Sequence, residues 1–380
     1  MQKNLYTAIG LMSGTSTDGV DLAMITSDGK KIIKNKKFHY CAYENSLKDK
    51  LRYLIYERPS LTDIKLIENE FTLLNAKIVE DFLSQNKIDR KQIDLVSFHG
   101  HTILHNPQQS ITWQIGNSEL LAQKIKIAVV GNFRTRDVAS GGQGAPLVPI
   151  YHFYLLNEQP KPTAVLNIGG ISNITYFASD KEDEIEAFDI CFGNAPLDDL
   201  VAKKIGMNYD DGGKLAKKGI IDFILADRIL KDEIFYKKPP KSFDRNDFSE
   251  LLAPINSLKI EDALATFAYM HAKVIAINLE FISQNAMPKN IFVCGGGRKN
   301  QALINEMCKW INGVEIKLID EIGFNGDAIE AEAFAFLGIR RLLNLPISFQ
   351  KTTGISPDYN CAQASSQAHF SSCGGVFYPA

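Results

Sequence analysis

At 380 residues the chain exceeds one ordinary domain of about 150 residues, and two or three domains are expected. It is 45% hydrophobic and 23% charged, which supplies a large core and excludes a disordered polymer. Its 42 Lys+Arg against 44 Asp+Glu leave a net charge of -2, which argues against a nucleic-acid partner. No apolar run approaches 18 residues, so no membrane span is expected. The first residues turn polar quickly, without a signal-like apolar run. The six cysteines form no CxxC pair and read as reduced thiols in a cytoplasm.

In chain order, residues 5–38 read as an apolar strand, a Gly/Ser/Thr turn and a second strand (LYTAIG, LMSGTSTDG, VDLAMITSDG). A helix is predicted over 60–88, with Ser60 as its N-cap. Ile64, Ile67, Phe71, Leu74, Ile78 and Phe82 recur there at steps of three and four. A short strand, IDLVSF, ends in HGHT. Residues 111–115 and 126–130 flank a helical segment and lead into the Gly-rich stretch 131–149.

Residues 163–177 repeat the opening scheme of strand, small polar turn and strand, which points to a duplicated unit. A helix over 261–283 is expected to bury Phe267, Met270, Val274, Ile277 and Phe281. The run NIFVCGGG reads as a buried strand entering a glycine turn, and helical patterns follow over 298–311 and 328–343. The Ser/Cys-rich tail 361–375 reads as a loop. Strands alternating with helices imply an α/β protein with two similar domains, divided as 1–150 and 151–380.

Six segments could carry chemistry. Ser13, Gly14, Thr15, Ser16, Thr17, Asp18 and Gly19 could point backbone N–H groups and hydroxyls at an anion, or could form a simple hairpin turn. Gly169, Gly170 and Asn173 form a second turn of the same kind, and Gly295, Gly296 and Gly297 a third. Neither a Walker A loop nor a dinucleotide GxGxxG is present. Asp189, at the end of an apolar strand before Gly193 and Asn194, reads as a general base or as a turn former. Arg134 and Arg136 offer forks for carboxylate or phosphate, or are surface residues of which one pairs with Asp137. His99, His101 and His105 have the spacing of a weak metal site, and His271 reads as structural.

In this order the segments resemble the anhydro-N-acetylmuramic acid kinase family, within the acetate-and-sugar-kinase, heat-shock 70 and actin superfamily. The matching runs are GLMSGTSTDGVD, SFHGHTILH, QIGN, FRTRDVASGGQGAPLVP, LNIGGISN, AFDICFGN, VCGGG and IEAEAFAFL, with a final YPA. The resemblance implies two actin-like (ribonuclease H-like) domains with a nucleotide and sugar cleft between them.

It also implies ATP and Mg2+ as cofactors, an anhydrosugar substrate, no membrane or nucleic-acid partner, and a homodimer. Asp189 takes the position of the family's catalytic aspartate. The implied nucleotide contacts are Ser13 to Gly19 with Val20 and Asp21, then Gly169, Gly170, Asn173, Gly193, Asn194 and Gly295 to Gly297. The implied sugar contacts are His99, Gly100, Arg136, Asp137, Gln143 and Glu330, and Asp18 or Asp21 would hold magnesium through water.

The implied reaction is water attack at the anomeric carbon with Asp189 as base, and capture of the departing O6 by the γ-phosphate. The chain departs from the family where FDxGPGN becomes Phe188-Asp189-Ile190-Cys191-Phe192-Gly193-Asn194, where DFRxRD begins with Asn132, and where HGQT reads His99-Gly100-His101-Thr102. Three alternatives remain: a levoglucosan-type anhydrosugar kinase, a non-catalytic actin-like ATP-binding protein, and a metal hydrolase on the histidines.

Overall fold

The computed structural model describes residues 3–14, 17–57, 59–282, 286–355 and 376–379. Its elements begin with strands β1 (Tyr6–Ser13), β2 (Gly19–Ser27) and β3 (Ile32–Ala42), then helices α1 (Asn45–Tyr56) and α2 (Leu61–Gln85). Strands β4 (Leu95–Asn106) and β5 (Ile111–Ile115), helix α3 (Ser118–Ile125), strand β6 (Val129–Gly131), and helices α4 (Thr135–Ala139) and α5 (Pro149–Leu155) follow. Next come β7 (Thr163–Ile168), β8 (Ile171–Phe177), β9 (Glu186–Phe192), and helices α6 (Ala195–Ile205), α7 (Phe223–Ile229), α8 (Ser249–Leu252) and α9 (Ile260–Leu279). The last are β10 (Asn290–Cys294), α10 (Gln301–Trp310), β11 (Glu315–Leu318), α11 (Ile329–Leu342), α12 (Gln350–Thr353) and β12 (Val376–Tyr378).

Two compact units result, Met1–Leu156 with Ala328–Ala380, and Asn157–Asp327. The first sheet has the order β12-β6-β4-β1-β2-β3, with β5 paired to the extended end of β4. The second has the order β11-β10-β7-β8-β9. In each unit the first three strands run antiparallel, and two more add in parallel on the other side of the first strand. Stripped of β5 and β12, the two sheets share one topology, so the expected duplication is present in the chain path.

The expected boundary needs correction at the C-terminal end. The division at 150 assigns residues 328–380 to the second half, whereas Ala328–Ala380 belong to the first unit. The reason is steric fit. A Cβ on Gly10 of β1 would stand 1.9 Å from Ala331 O, so α11 can lie directly on the strand only over glycine. Ala23, Ala328 and Ala331 complete this small-residue seam. The strongly apolar face of α11 is covered there rather than in the second unit.

Local expectations mostly hold. Ser60 caps α2 in a reciprocal box, its Oγ accepting from Asp63 N at 3.1 Å while Asp63 Oδ2 accepts from Ser60 N at 3.2 Å. That arrangement stabilises a helix end by about 1 kcal/mol. Phe267, Met270 and Val274 are buried on α9, whereas Ile277 and Phe281 are half-buried, the latter beyond the helix end at Leu279. The pattern over 298–311 resolves into a 3-10 turn over Gly296–Lys299 and then α10. The Ser/Cys-rich tail 361–375 lies outside the described residues.

Candidate active site

In each unit the glycine turns gather at the carboxyl ends of the parallel strands, where open α/β sheets bind ligands. In the first unit, β1 ends at Ser13, the inner half of β4 ends at His99, and β6 ends at Gly131. In the second, β7 runs into Gly169 and β10 into Gly295. The three glycine segments separated along the chain thus become two local constellations.

The second unit holds Gly169, Gly170, Gly193, Asn194 and Gly295 to Gly297 together. Gly193 N donates to Gly170 O at 3.0 Å, and Asn194 N donates to Gly169 O at 2.7 Å. The β7–β8 turn is therefore tied to the start of α6. The glycines divide by what requires them. Gly193, Gly295 and Gly297 are fixed by packing, since an added Cβ would lie 2.2 Å from Gly169 O, 2.3 Å from Asn167 Oδ1 and 2.2 Å from Ile168 Cγ2 respectively. Gly169, Gly170 and Gly296 differ. Nothing stands within 3.6 Å of a Cβ at the first two, and nothing within 4 Å at the third. A bare backbone facing open space suits the close approach of a phosphate or flat ring.

A buried arginine braces the 295–297 turn. Arg298 donates through Nη1 to Gly295 O at 3.0 Å and to Asp327 Oδ1 at 2.8 Å, and through Nε to Asp320 Oδ2 at 2.7 Å. Burial opposes its charge, and its hydrogen bonds to Asp327 and Asp320 outweigh that and raise its pKa. Asn173 sits on β8 opposite Asp189.

Asp189 lies on β9 at the sheet edge. Ser172 pairs with Cys191 and Asn173 with Asp189, which leaves Ile190 as an extra residue in the ladder. Such a bulge re-aims the side chains beside it. The Asp189 main-chain N–H donates to Lys241 O at 3.2 Å, and its Oδ2 accepts from Phe243 N at 2.9 Å. The segment through Lys241 and Phe243 therefore acts as a strap along the strand carrying Asp189. Cys191, the family departure next door, is buried, and burial raises its thiol pKa far above the ordinary value.

In the first unit, Thr15 and Ser16 of the opening turn lie outside the described residues. Thr17 N donates to Gly14 O at 3.2 Å, closing the turn. Ser13, Thr17 and Val20 are buried, and Val20 is a core residue whose side chain is unavailable to a nucleotide. Gly19 is required by the β2–β3 pairing, because a Cβ there would lie 2.3 Å from Cys41 O. Asp18 and Asp21 remain near the surface, and after burial they raise the Tyr40 phenol pKa, so both carboxylates act on one spot.

Ser13 joins an internal relay. Tyr43 donates to Ser13 Oγ at 2.6 Å, and Ser13 Oγ lies 2.8 Å from His101 Nδ1. His101 Nε2 has no hydrogen-bond partner among the described residues, and burial pushes this histidine down to about 4.

Of the sugar-site candidates, His99 and Gly100 line a polar pocket of about 230 Å³ together with Gln114, Ser118, Asn132 and Thr135, among others. Arg134 Nε donates to His99 Nε2 at 3.0 Å, and His99 Nδ1 is 2.9 Å from Gly100 O. Both ring nitrogens are committed to the protein. Burial and the Arg134 charge hold His99 neutral, well below its usual range. His101 faces Ser13 and His105 faces Thr112, so the spacing of His99, His101 and His105 does not make a metal cluster. Among the described residues no group of three or more His, Cys, Asp or Glu could hold a metal ion.

Asp137 is buried. Its Oδ1 accepts from Gly144 N and its Oδ2 from the Thr353 hydroxyl, both at 2.6 Å. Gln143 N donates to Thr353 O at 2.6 Å. Asp137 thus shapes the Gly141–Gly144 loop rather than presenting a free carboxylate. Arg136 and Glu330 are half-buried, on α4 and in the first turn of α11 respectively, and both belong to the first unit.

These long-range contacts left no local signature. Lys241, Phe243, Thr353, Asp320 and Asp327 each lie more than 20 residues from the group they hold.

Two α/β units with one shared strand order, each with glycine turns at the carboxyl strand ends, define an actin-like protein of the acetate-and-sugar-kinase type. The family model for anhydro-N-acetylmuramic acid kinase matches residues 6–362, and the chain belongs to that family. The anhydro-N-acetylmuramic acid kinase of Zymomonas mobilis is 42% identical over 357 residues, covering 92% of this chain and 96% of the relative. That of Rhodopseudomonas palustris is 38% identical, covering 93% and 97%. Among solved structures, (R)-2-hydroxyglutaryl-CoA dehydratase component A of Acidaminococcus fermentans aligns with a TM-score of 0.44 at 14% identity, covering 88% of this chain and 99% of that one, a likeness too loose to bear on activity.

Proposed function

We propose that this chain is an ATP-dependent kinase that opens 1,6-anhydro-N-acetylmuramic acid with water and phosphorylates O6. The products are N-acetylmuramic acid 6-phosphate and ADP, within cell-wall recycling. Membership of the family supports the reaction. The observation that carries it to residues is Asp189, re-aimed by a bulge and held by the Phe243 N–H.

Asp189 takes the proton of a water attacking the anomeric carbon. The C1–O6 bond breaks, and O6 passes to the γ-phosphate instead of being released as a free alkoxide, so a single carboxylate serves where an inverting glycosidase needs two. Gly169, Gly170 and Gly296 fit a nucleotide because the protein leaves open the space their side chains would fill. Asn173, Gly193 and Asn194 shape the same turn. Asp18 and Asp21 are the carboxylates that would hold magnesium through water. When bound, that ion neutralises charge on the transferring phosphoryl group.

In the first unit, neutral His99, Gly100 and the Gln143 loop face the sugar, and Arg136 and Glu330 orient it, with Arg136 opposite the lactyl carboxylate. No helix among the described residues is long and apolar enough to cross a membrane. A cytoplasmic homodimer is the working form of this reading.

A coupled ADP assay over a panel of anhydrosugars, with mass detection of the product, tests it. The expected result is ADP release that requires the muramic sugar. Preference for levoglucosan, or ADP release without any sugar, would overturn it.

A further inference from the structure

Lys241 is tied to the presumed base through its main chain and to the core through its side chain. Its carbonyl accepts the Asp189 N–H at 3.2 Å, and two residues on, Phe243 N donates to Asp189 Oδ2 at 2.9 Å. Its ammonium lies 5.6 Å from the Phe188 ring centre, 5.5 Å from Phe243 and 5.6 Å from Phe281, and it donates to Asn278 Oδ1. Three phenyl faces around one cation make a favourable cage.

The Asn278 acceptor is itself set. Its Nδ2 donates to Val274 O at 2.9 Å and to Phe235 O at 3.2 Å, so only Oδ1 can face the lysine. Asn278 is fully buried on α9. The strap is therefore anchored through one side chain at the residue whose backbone begins the clamp on Asp189. A lysine in a half-buried apolar setting costs desolvation that a purely packing role would not require, since Leu or Met would fill such a cage. Something must use the charge or the donor.

We infer that Lys241 is a positioning residue for Asp189: it anchors the 237–243 strap so that the Phe243 N–H orients the carboxylate, and its cation favours the ionised form. The role of that carboxylate as base rests on the proposed function; the anchoring does not. The groups that act on Lys241 are Asp189 and the buried Cys191 thiol from β9, and Lys237 from the strap itself. Burial lowers its ammonium to about 8, opposed by Cys191 and Asp189 and aided by Lys237. The lysine is thus still charged near neutrality, within electrostatic reach of the carboxylate.

The test follows the Asp189 carboxyl by NMR in full-length protein labelled at aspartate Cγ, with the signal assigned through Asp189→Asn. In Lys241→Met its titration should move up by roughly one pH unit, because the carboxylate loses both the anchored Phe243 N–H and the electrostatic support of the ammonium. In Lys241→Arg it should stay near the parent value. If Lys241→Met does not fold, Lys241→Gln keeps a donor for Asn278 without the charge and should show an upward shift smaller than that of full loss.

The acid limb of kcat/KM should move with the titration, while KM for ATP changes less than about twofold. An unmoved Asp189 titration in folded Lys241→Met or Lys241→Gln would overturn the inference, as would an equal shift in Lys241→Arg. The parent enzyme's turnover is read separately. Failure there removes the proposed function, while the titration still decides the role of Lys241.

Discussion

The Thr353 hydroxyl donates to Asp137 Oδ2 at 2.6 Å, joining residues 216 positions apart within the first unit. The other carboxylate oxygen takes the Gly144 N–H, and the Gln143 N–H returns to the Thr353 carbonyl. This knot holds the loop that carries Gln143. Thr353→Val keeps the shape and removes one hydrogen bond to a buried charge. It should cost about 1.5–3 kcal/mol, read as a lower Tm, and should raise KM for the sugar more than KM for ATP. An unchanged Tm and sugar KM would show that the knot is dispensable.

The glycines of the second unit predict opposite behaviour at neighbouring positions. Gly296→Ala should leave stability within about 0.5 kcal/mol of the parent, since no atom lies within 4 Å of the new methyl. It should nevertheless weaken ATP binding at least severalfold. Gly297→Ala places a methyl 2.2 Å from Ile168 Cγ2 and should destabilise by about 1–3 kcal/mol as an overpacked core does. Thermal melts with and without ATP separate the two. Normal ATP affinity in Gly296→Ala would remove that glycine from the nucleotide surface.

Both constellations also show what was legible in the residues. Composition and turn chemistry picked out the glycine clusters, and hydrophobic spacing found α2, α9 and α11. The chain does not say locally that Gly10 lets α11 cross β1, so the helix was assigned to the wrong unit. The strand β3 was missed for a different reason. Its run IIKNKKFHYCA carries lysines because it is an edge strand, where charge guards against further pairing. The knot at Asp137, the brace at Arg298 and the strap at Lys241 all depend on partners far along the chain. Spacing along the chain reports only near neighbours, so these partnerships leave no pattern in the sequence.

Three buried histidines set an acid limit on stability. Burial lowers His101 to about 4, and His152 and His271 to about 3, against an ordinary value of 6.5. Each is neutral in the folded chain, while the unfolded chain takes up a proton near 6.5. Their contribution is therefore complete above pH 6.5 and is lost as pH falls toward the folded values. The slope is about 1.4 kcal/mol per pH unit for each histidine within that window. His101 and His152 lie in the first unit and His271 in the second, so both should soften. Melting curves from pH 7.5 to pH 5 should show Tm falling steadily below about pH 6.5. A flat or rising Tm over that range would mean these rings find protons or partners in the folded state.

The central claim is that Asp189 is the base of an anhydrosugar kinase. The most direct measurement compares the parent chain with Asp189→Asn in ADP release from ATP and 1,6-anhydro-N-acetylmuramic acid, with the product weighed by mass spectrometry. The account predicts a sugar product heavier by one water and one phosphoryl group from the parent enzyme. For Asp189→Asn it predicts turnover reduced by at least about a thousandfold, with ATP binding retained. Near-parental turnover by Asp189→Asn, or a phosphorylated sugar that keeps its anhydro bridge, would contradict it.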